Sequence, residues 1–328
     1  MKKILLTGDR PTGPLHLGHY VGSIENRVKL QHEYESYILI ADMQALTDNY
    51  LDPNKVKDNT LEVLSDYLAV GIDPKVSNIF LQSKVPQLFE LTAYLSNLVS
   101  FDYLKHNPTL KTELEQRKIN NLGFISYPVS QAADILAFKA NVVPVGNDQS
   151  PILELTNKVA AQFNEMSKLN YFPKVQGLYS ENGRLKGLDG TMKMSKSLNN
   201  AIFLKDDYNA LKKKVNSMYT DPLHIKIEDP GHVEGNVVFM FLDVFDPDQQ
   251  GLAKLKLQYA MGGISDGSVK KRLLDALENK FSIIRSEREK VFADKAYLME
   301  VLKEGTEKAQ SKAEENLIEI RKYFTLQF

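Results

Sequence analysis

Short apolar runs alternate with longer stretches of helical period through the first half of the chain. Ile4 to Leu6, Tyr37 to Ala41, Ile79 to Gln82 and Val142 to Val145 read as strands. Tyr20 to Gln31 and Asn54 to Val70 read as helices between them. The second is closed by Gly71-Ile72-Asp73-Pro74, because glycine accepts the left-handed cap and proline cannot continue a helix. Strands alternating with helices predict a parallel sheet with crossover connections. The expected fold class is therefore α/β, a Rossmann-like doubly wound parallel sheet whose ligands bind outside the carboxyl ends of the strands.

After Ser197 the pattern changes. Strand-like runs become rare, and lysine-bearing helical segments follow at Tyr208 to Met218, Gly251 to Met261, Ser268 to Phe281 and Ser282 to Leu302. This predicts a catalytic domain over residues 1–204, a mainly α-helical domain over 205–300, and a C-terminal helix over 301–328. Glu307 to Tyr323 is amphipathic and suited to pack back on the first domain.

At 328 residues and 43% apolar, the chain has enough material for one large core and a smaller one. The net charge of -1 means that any nucleic-acid contact rests on local clusters of lysine and arginine, for which Lys212-Lys213-Lys214 and Lys270-Lys271-Arg272 are candidates. The chain has no cysteine, which excludes disulfides, thiolate metal sites and cysteine nucleophiles. The N-terminus lacks the apolar core of a signal peptide, and no run reaches the ~18 apolar residues that a membrane span needs. A soluble, cytoplasmic protein without membrane contact is expected.

Three clusters carry the chemistry. Pro11-Thr12-Gly13-Pro14-Leu15-His16-Leu17-Gly18-His19 stands where the first strand hands over to a helix. A helix N-terminus exposes unpaired N–H groups and attracts phosphate. Two imidazoles three residues apart face one side of such a turn, although an isolated pair also reads as polar caps. Lys193-Met194-Ser195-Lys196-Ser197, followed by Leu198-Asn199-Asn200, places two mobile ammonium groups in a loop. Such a spacing alone is commonly a solvated turn, yet lysine suits a charge that must follow a departing pyrophosphate. Tyr127 to Ile135 reads as a helix start with Tyr127, Gln131 and Asp134 on one face. Asp134, an acid in an apolar stretch, needs a hydrogen-bond partner, whether as a cap, a structural ion pair or a ligand site.

These blocks resemble the class I aminoacyl-tRNA synthetases, and within them the bacterial tryptophan-activating branch. Pro11 to His19 is similar to the family's HIGH signature, and Lys193 to Ser197 matches its KMSKS signature letter for letter. The likeness extends through Tyr127 to Gln149 and over nearly the whole chain. It implies activation of L-tryptophan by Mg²⁺-ATP, transfer to tRNA(Trp), and a homodimer, with the helical domain reading the anticodon.

By that resemblance, Leu6, Gly8, Gln131, Ile135, Val143 and Val145 line the amino-acid pocket, Tyr127 and Gln149 hold the ammonium, and Asp134 accepts from the indole N–H. Arg10, Pro11, Thr12, Gly18 and His19 lie along ATP, with Gly146, Asn147 and Asp148 near its ribose and adenine. Leu185, Met194, Ser195 and Ser197 complete the nucleotide side. His16, His19, Lys111, Lys193 and Lys196 address the phosphates as catalytic groups, and no protein metal site is implied. The chain departs from many bacterial members at Arg10 and Gln44, where they have Gln and His, and at Gln131, where they have Met. These changes resemble a second bacterial subtype.

A tyrosine-activating enzyme is the nearest alternative and is opposed by Leu6, which stands where that branch carries a tyrosine. A non-catalytic RNA-binding paralogue would have lost a signature His or Lys, and His16, His19, Lys193 and Lys196 are all present. Neither G-x-G-x-x-G after the first strand nor G-x-x-x-x-G-K occurs, against a dinucleotide oxidoreductase or a P-loop enzyme.

Overall fold

The computed structural model describes residues 2–117, 119, 121–146, 150–179, 185–190, 194–195 and 198–324. The chain forms two compact units, one of Met1–Gly13, Glu25–Ser180 and Asp294–Phe328, the other of Pro14–Ile24 and Glu181–Ala293.

The first unit is built on five parallel strands: β1 (Ile4–Asp9), β2 (Glu35–Ile40), β3 (Ser77–Leu81), β4 (Val142–Val145) and β5 (Gln176–Tyr179). Their order is β3-β2-β1-β4-β5. The order reverses between β1 and β4, so the crevice of a doubly wound sheet opens at their carboxyl ends, beside Gly8 to Arg10 and Gly146. β1 runs three residues beyond the apolar stretch because Thr7, Gly8 and Asp9 keep register with Ile38, Leu39 and Ile40. A side chain at Gly8 would place its Cβ 2.2 Å from the Leu39 carbonyl oxygen, so only glycine passes there. β5 escaped the sequence pattern because it is short and half exposed, without an apolar run.

Two helix boundaries differ from expectation, each for a capping reason. The helix carrying Asp134 runs Leu122–Ala137, starting a turn before Tyr127. Asn121 caps it by accepting from the Phe124 N–H at 2.8 Å, and Pro128 sits inside, without an N–H for the carbonyl one turn back. Toward the C-terminus the expected break at Ser282 is absent. Helix Asp266–Ala293 is continuous, and the break falls at Asp294, which accepts from Tyr297 N–H at 2.9 Å and opens helix Lys295–Tyr323.

That last helix lies on edge strand β3. A Cβ on Gly305 would stand 2.0 Å from the Ile79 carbonyl oxygen, and Thr306 Oγ1 accepts from Leu81 N–H at 3.2 Å. Ala309, Ala313, Leu317 and Ile320 continue the buried face. Arg321 bridges Glu90, at 2.6 Å, and Glu314, holding both carboxyls below their usual range.

In the second unit, helices Tyr208–Asn216, Val237–Phe245 and Gln249–Met261 begin at the side-chain caps Asp207, Asn236 and Asp248. Segment Pro14–Ile24 belongs here: Leu17 N–H donates to Ile202 O and Leu204 N–H to Leu15 O, both at 2.9 Å. Tyr20 packs edge-on against Phe281 with ring centroids 5.2 Å apart.

Gly305→Ala should lower the thermal midpoint by an amount equivalent to about 1–3 kcal/mol, the usual cost of overpacking. Gly267→Ala, where a Cβ meets nothing nearer than 3.8 Å, should leave it unchanged in the same calorimetric comparison.

Candidate functional site

Of the residues expected to meet the amino acid, Asp134 lies in the first unit and is 1% exposed. Gln82 Nε2 donates to both its carboxylate oxygens, at 2.8 and 3.1 Å. Gln82 Oε1 accepts from Gln44 N–H at 3.0 Å, which fixes which end of the amide faces the carboxylate. Asp42 accepts from Ser83 N–H at 2.9 Å and so braces the turn that carries Gln82. Burial pushes the Asp134 carboxyl up to about 8, against the pull of Gln82's hydrogen bonds, and the Asp42 charge adds to the rise.

Leu6, Tyr127, Ile135 and Val143 belong to the hydrophobic core of this unit, with Val145 packed against that core. Gln131 is half-buried on the Asp134 helix, one turn after Tyr127. Gly146 follows β4, and Asn147, Asp148 and Gln149 lie outside the described residues. Lys111 is exposed on helix Pro108–Arg117. Arg10, at the end of β1, pairs with Asp48, and Pro11 and Thr12 follow it. Gln44 contributes through its backbone N–H, a contact that its residue type does not determine.

Sequence reasoning missed a buried triad under the end of β1. Arg27 Nη1 donates to Asp9 at 2.6 Å and to the Tyr67 hydroxyl at 3.2 Å, and its Nη2 donates to Gly8 O at 3.3 Å. Tyr67 donates to Asp9 at 2.8 Å, and burial together with the Asp9 charge holds its phenol well above the ordinary range. The arrangement ties the strand end next to the crevice to two helices.

The two histidines expected to meet phosphate lie in the second unit. His16 is extended and buried, and its N–H donates to His19 Nδ1 at 3.2 Å. An imidazole accepting at Nδ1 carries its proton on Nε2, so His19 is held as an Nε2–H donor. The two rings lie 3.8 Å apart. A Cβ on Gly18 would come within 2.9 Å of the His16 ring, so this glycine is needed for the packing of the first histidine. Tyr20–Ile24 then forms a π-helical turn, a widening common at functional sites.

Ser195 N–H donates to Asn200 Oδ1 at 2.8 Å, and Asn200 Nδ2 donates to Asp189 at 3.2 Å. The second signature is thus tethered by a buried amide, while Asn199 takes the left-handed backbone at φ 51°. Met194 and Leu185 are buried, and Met194 faces Gly18. Lys193, Lys196 and Ser197 lie outside the described residues. Of the basic clusters, Lys214 pairs with Asp206, Lys270 donates to Asn216 O and Arg272 pairs with Asp246, which leaves Lys212, Lys213 and Lys271 exposed.

A family model described as tRNA synthetases class I (W and Y) matches residues 2–282. The chain is 50% identical to tryptophan–tRNA ligase of Streptococcus agalactiae, over 100% of this chain and 99% of that protein. It is also 50% identical to tryptophan–tRNA ligase of Lactococcus lactis, over 98% and 97%. Among solved structures, tryptophanyl-tRNA synthetase from Campylobacter jejuni, complexed with ADP and tryptophan, superposes with TM-score 0.87 at 31% identity, covering 98% of this chain and 99% of that one. The enzyme from Mycoplasma pneumoniae gives 0.85 at 26%, covering 100% and 99%.

Because the Asp134 carboxyl is raised on folding, the native state keeps a proton that the unfolded chain releases near pH 4. The resulting stabilisation is present at low pH and is lost as pH rises toward about 8. Asp134→Asn should therefore gain stability on the wild type across pH 4 to 8, by up to about 1.4 kcal/mol per pH unit, and show a constant difference above that. Urea unfolding at a series of pH values measures the window, and a pH-independent difference would contradict the assignment.

Proposed function

The chain belongs to the class I tRNA synthetases of the tryptophan and tyrosine branch, its reaction is the ligation of tryptophan to tRNA, and we propose how its residues divide that work. In the first step L-tryptophan and ATP give tryptophanyl-adenylate and pyrophosphate. In the second the tryptophanyl group passes to the terminal adenosine hydroxyl of tRNA(Trp).

The observation that carries the assignment is the buried Asp134 carboxyl, held in place by an amide whose own orientation is fixed. An indole N–H is a donor with no acceptor capacity, so a buried acceptor with lone-pair capacity beyond its Gln82 bonds selects it. Phenylalanine brings no donor to that acceptor, and tyrosine brings a hydroxyl against a wall that includes Leu6. Sites built around one substrate hydrogen bond discriminate by ~10⁴-fold or more. Tyr127 and Gln149 hold the substrate ammonium, and Gly8, Gln131, Ile135, Val143 and Val145 shape the pocket.

The tryptophan carboxylate attacks the α-phosphate in line, which requires no protein nucleophile. Catalysis then comes from positioning and from donors aimed at developing charge. His19, as an Nε2–H donor, and His16 stabilise phosphate charge, and Lys193, Lys196 and Lys111 follow the pyrophosphate. Arg10, Pro11, Thr12, Gly146, Asn147 and Asp148 bind the nucleotide, as do Gly18, Leu185, Met194, Ser195 and Ser197. Mg²⁺ arrives on the ATP phosphates and neutralises their charge. No group of three acidic or histidine side chains suited to a separate metal ion occurs among the described residues.

The helical unit reads the anticodon, with Lys212, Lys213 and Lys271 free to meet phosphates. The reaction belongs in the cytoplasm with its tRNA, and no described helix is long and apolar enough to cross a membrane. A homodimer accounts for the exposure of Tyr50, Leu51, Phe101 and Leu122, at 60, 85, 64 and 79%. Leu122 follows Asn121, which donates to Thr47 O, so it lies close in the fold to Tyr50 and Leu51.

Exchange of labelled pyrophosphate into ATP tests the function. It should depend on tryptophan and not on tyrosine, and His19→Ala should reduce it by about 10²–10³-fold. Exchange supported by tyrosine alone would overturn the specificity, and none with either would overturn the activity. For the dimer, Leu51→Glu combined with Leu122→Glu should halve the mass found by light scattering while leaving the helical circular dichroism intact.

A further inference from the structure

The helix Lys295–Tyr323 touches the amino-acid side of the first unit at three points. Thr306 Oγ1 accepts from the N–H of Leu81, the residue before Gln82. Gln310 donates to the carbonyl of Lys84, at the end of the same turn. Asn316 Nδ2 donates at 2.7 Å to the carbonyl of Ala137, the last residue of the Asp134 helix. A helix leaves its final carbonyls without partners inside the helix, so this bond acts as a C-cap supplied from elsewhere in the chain. Thr306 and Asn316 are 7% and 5% exposed. Both hydrogen bonds are therefore made away from competing water.

From these contacts we propose, resting on the tryptophan reading above, that the C-terminal helix is a positioning element for amino-acid recognition: Thr306 and Asn316 hold the two backbone segments that bring Gln82 and Asp134 together. A helix is a stiff spacer. The ten residues from Thr306 to Asn316 set a rise of about 15 Å between the anchor on the Gln82 turn and the anchor on the Asp134 helix. Gly305 prevents the spacer from sliding, because its backbone lies against that of Ile79 with no room for a Cβ. The Gln82–Asp134 bonds of 2.8 and 3.1 Å depend on where those two segments stand. Loss of an anchor lets the amide drift from the carboxylate and misplaces the acceptor that the indole N–H needs. Neither Thr306 nor Asn316 touches substrate, so the effect passes entirely through Gln82 and Asp134.

The test compares Thr306→Val, which keeps the shape and removes the acceptor, with Thr306→Ser, which restores it, and adds Asn316→Ala. Full-length proteins are assayed for pyrophosphate exchange, with KM measured separately for tryptophan and ATP. Tryptophan binding is read directly from the ligand's own fluorescence, since the chain contains no tryptophan. Thr306→Val and Asn316→Ala should each raise the KM and Kd for tryptophan about fivefold, the usual size of one lost hydrogen bond. KM for ATP should stay within a factor of two, and Thr306→Ser should return to the wild-type value. If Thr306→Val does not fold, Gln310→Ala probes the same turn through Lys84 and should give the same split. Variants that melt earlier with unchanged tryptophan KM and Kd overturn the inference alone, leaving a purely structural helix. A wild-type protein without tryptophan-dependent exchange overturns the functional reading and this inference with it.

Discussion

A carboxyl group buried among aliphatic and aromatic side chains must be both tolerated and held still. Asp134 is that group in the first unit, and the polar groups around it are arranged to meet that demand. Gln82 supplies two hydrogen bonds from one amide nitrogen, and the backbone of Gln44 removes the freedom of that amide to rotate. Desolvation still dominates, which is why the acid remains harder to ionise than a carboxyl in water.

The same economy of fixed polar groups recurs in the second unit. His19 is oriented by a backbone N–H, and the loop of the second signature is tethered through Asn200 to Asp189. Under β1 the Asp9, Arg27 and Tyr67 side chains satisfy one another, so removal of Asp9 or Arg27 would break a largely buried ion pair. In each case a polar side chain is oriented by the hydrogen bonds of its neighbours. Precision of a few tenths of an ångström is what catalysis by positioning requires.

Four of the five strands were legible because buried parallel strands are written as apolar runs; β5, with its exposed ends, was not. The signatures around His16 and Lys193 were legible as chemistry because unusual residue types cluster there. Gln82 was not, since a glutamine at a strand end carries no pattern until Asp134 is brought to it from 52 residues away. The start of the Asp134 helix was not legible at its true place, because the cap is Asn121, ahead of the Tyr127 to Ile135 stretch. Asp294 outcompeted Ser282 as a boundary for the related reason that a carboxylate there accepts the N–H three residues on. The amphipathic face from Glu307 to Tyr323 was legible, whereas the close approach just before it was not. Gly305 looks like a weak helix position until the backbone of Ile79 in β3 is laid against it.

That docking has a temporal side. β3 is an edge strand, and Ile79 and Leu81, two apart, turn their backbone groups to the same flank, where Gly305 and Thr306 meet them. The covering helix lies 225 residues downstream. A ribosome adding roughly 5–20 residues per second takes about 11–45 s to travel that far. For that interval a nascent chain carries the strand uncovered, open to pairing with a neighbouring polypeptide on the same message. Its exposure time is set by the speed of translation, so a protein that itself supplies charged tRNA to the ribosome has an edge whose protection depends on how quickly ribosomes move.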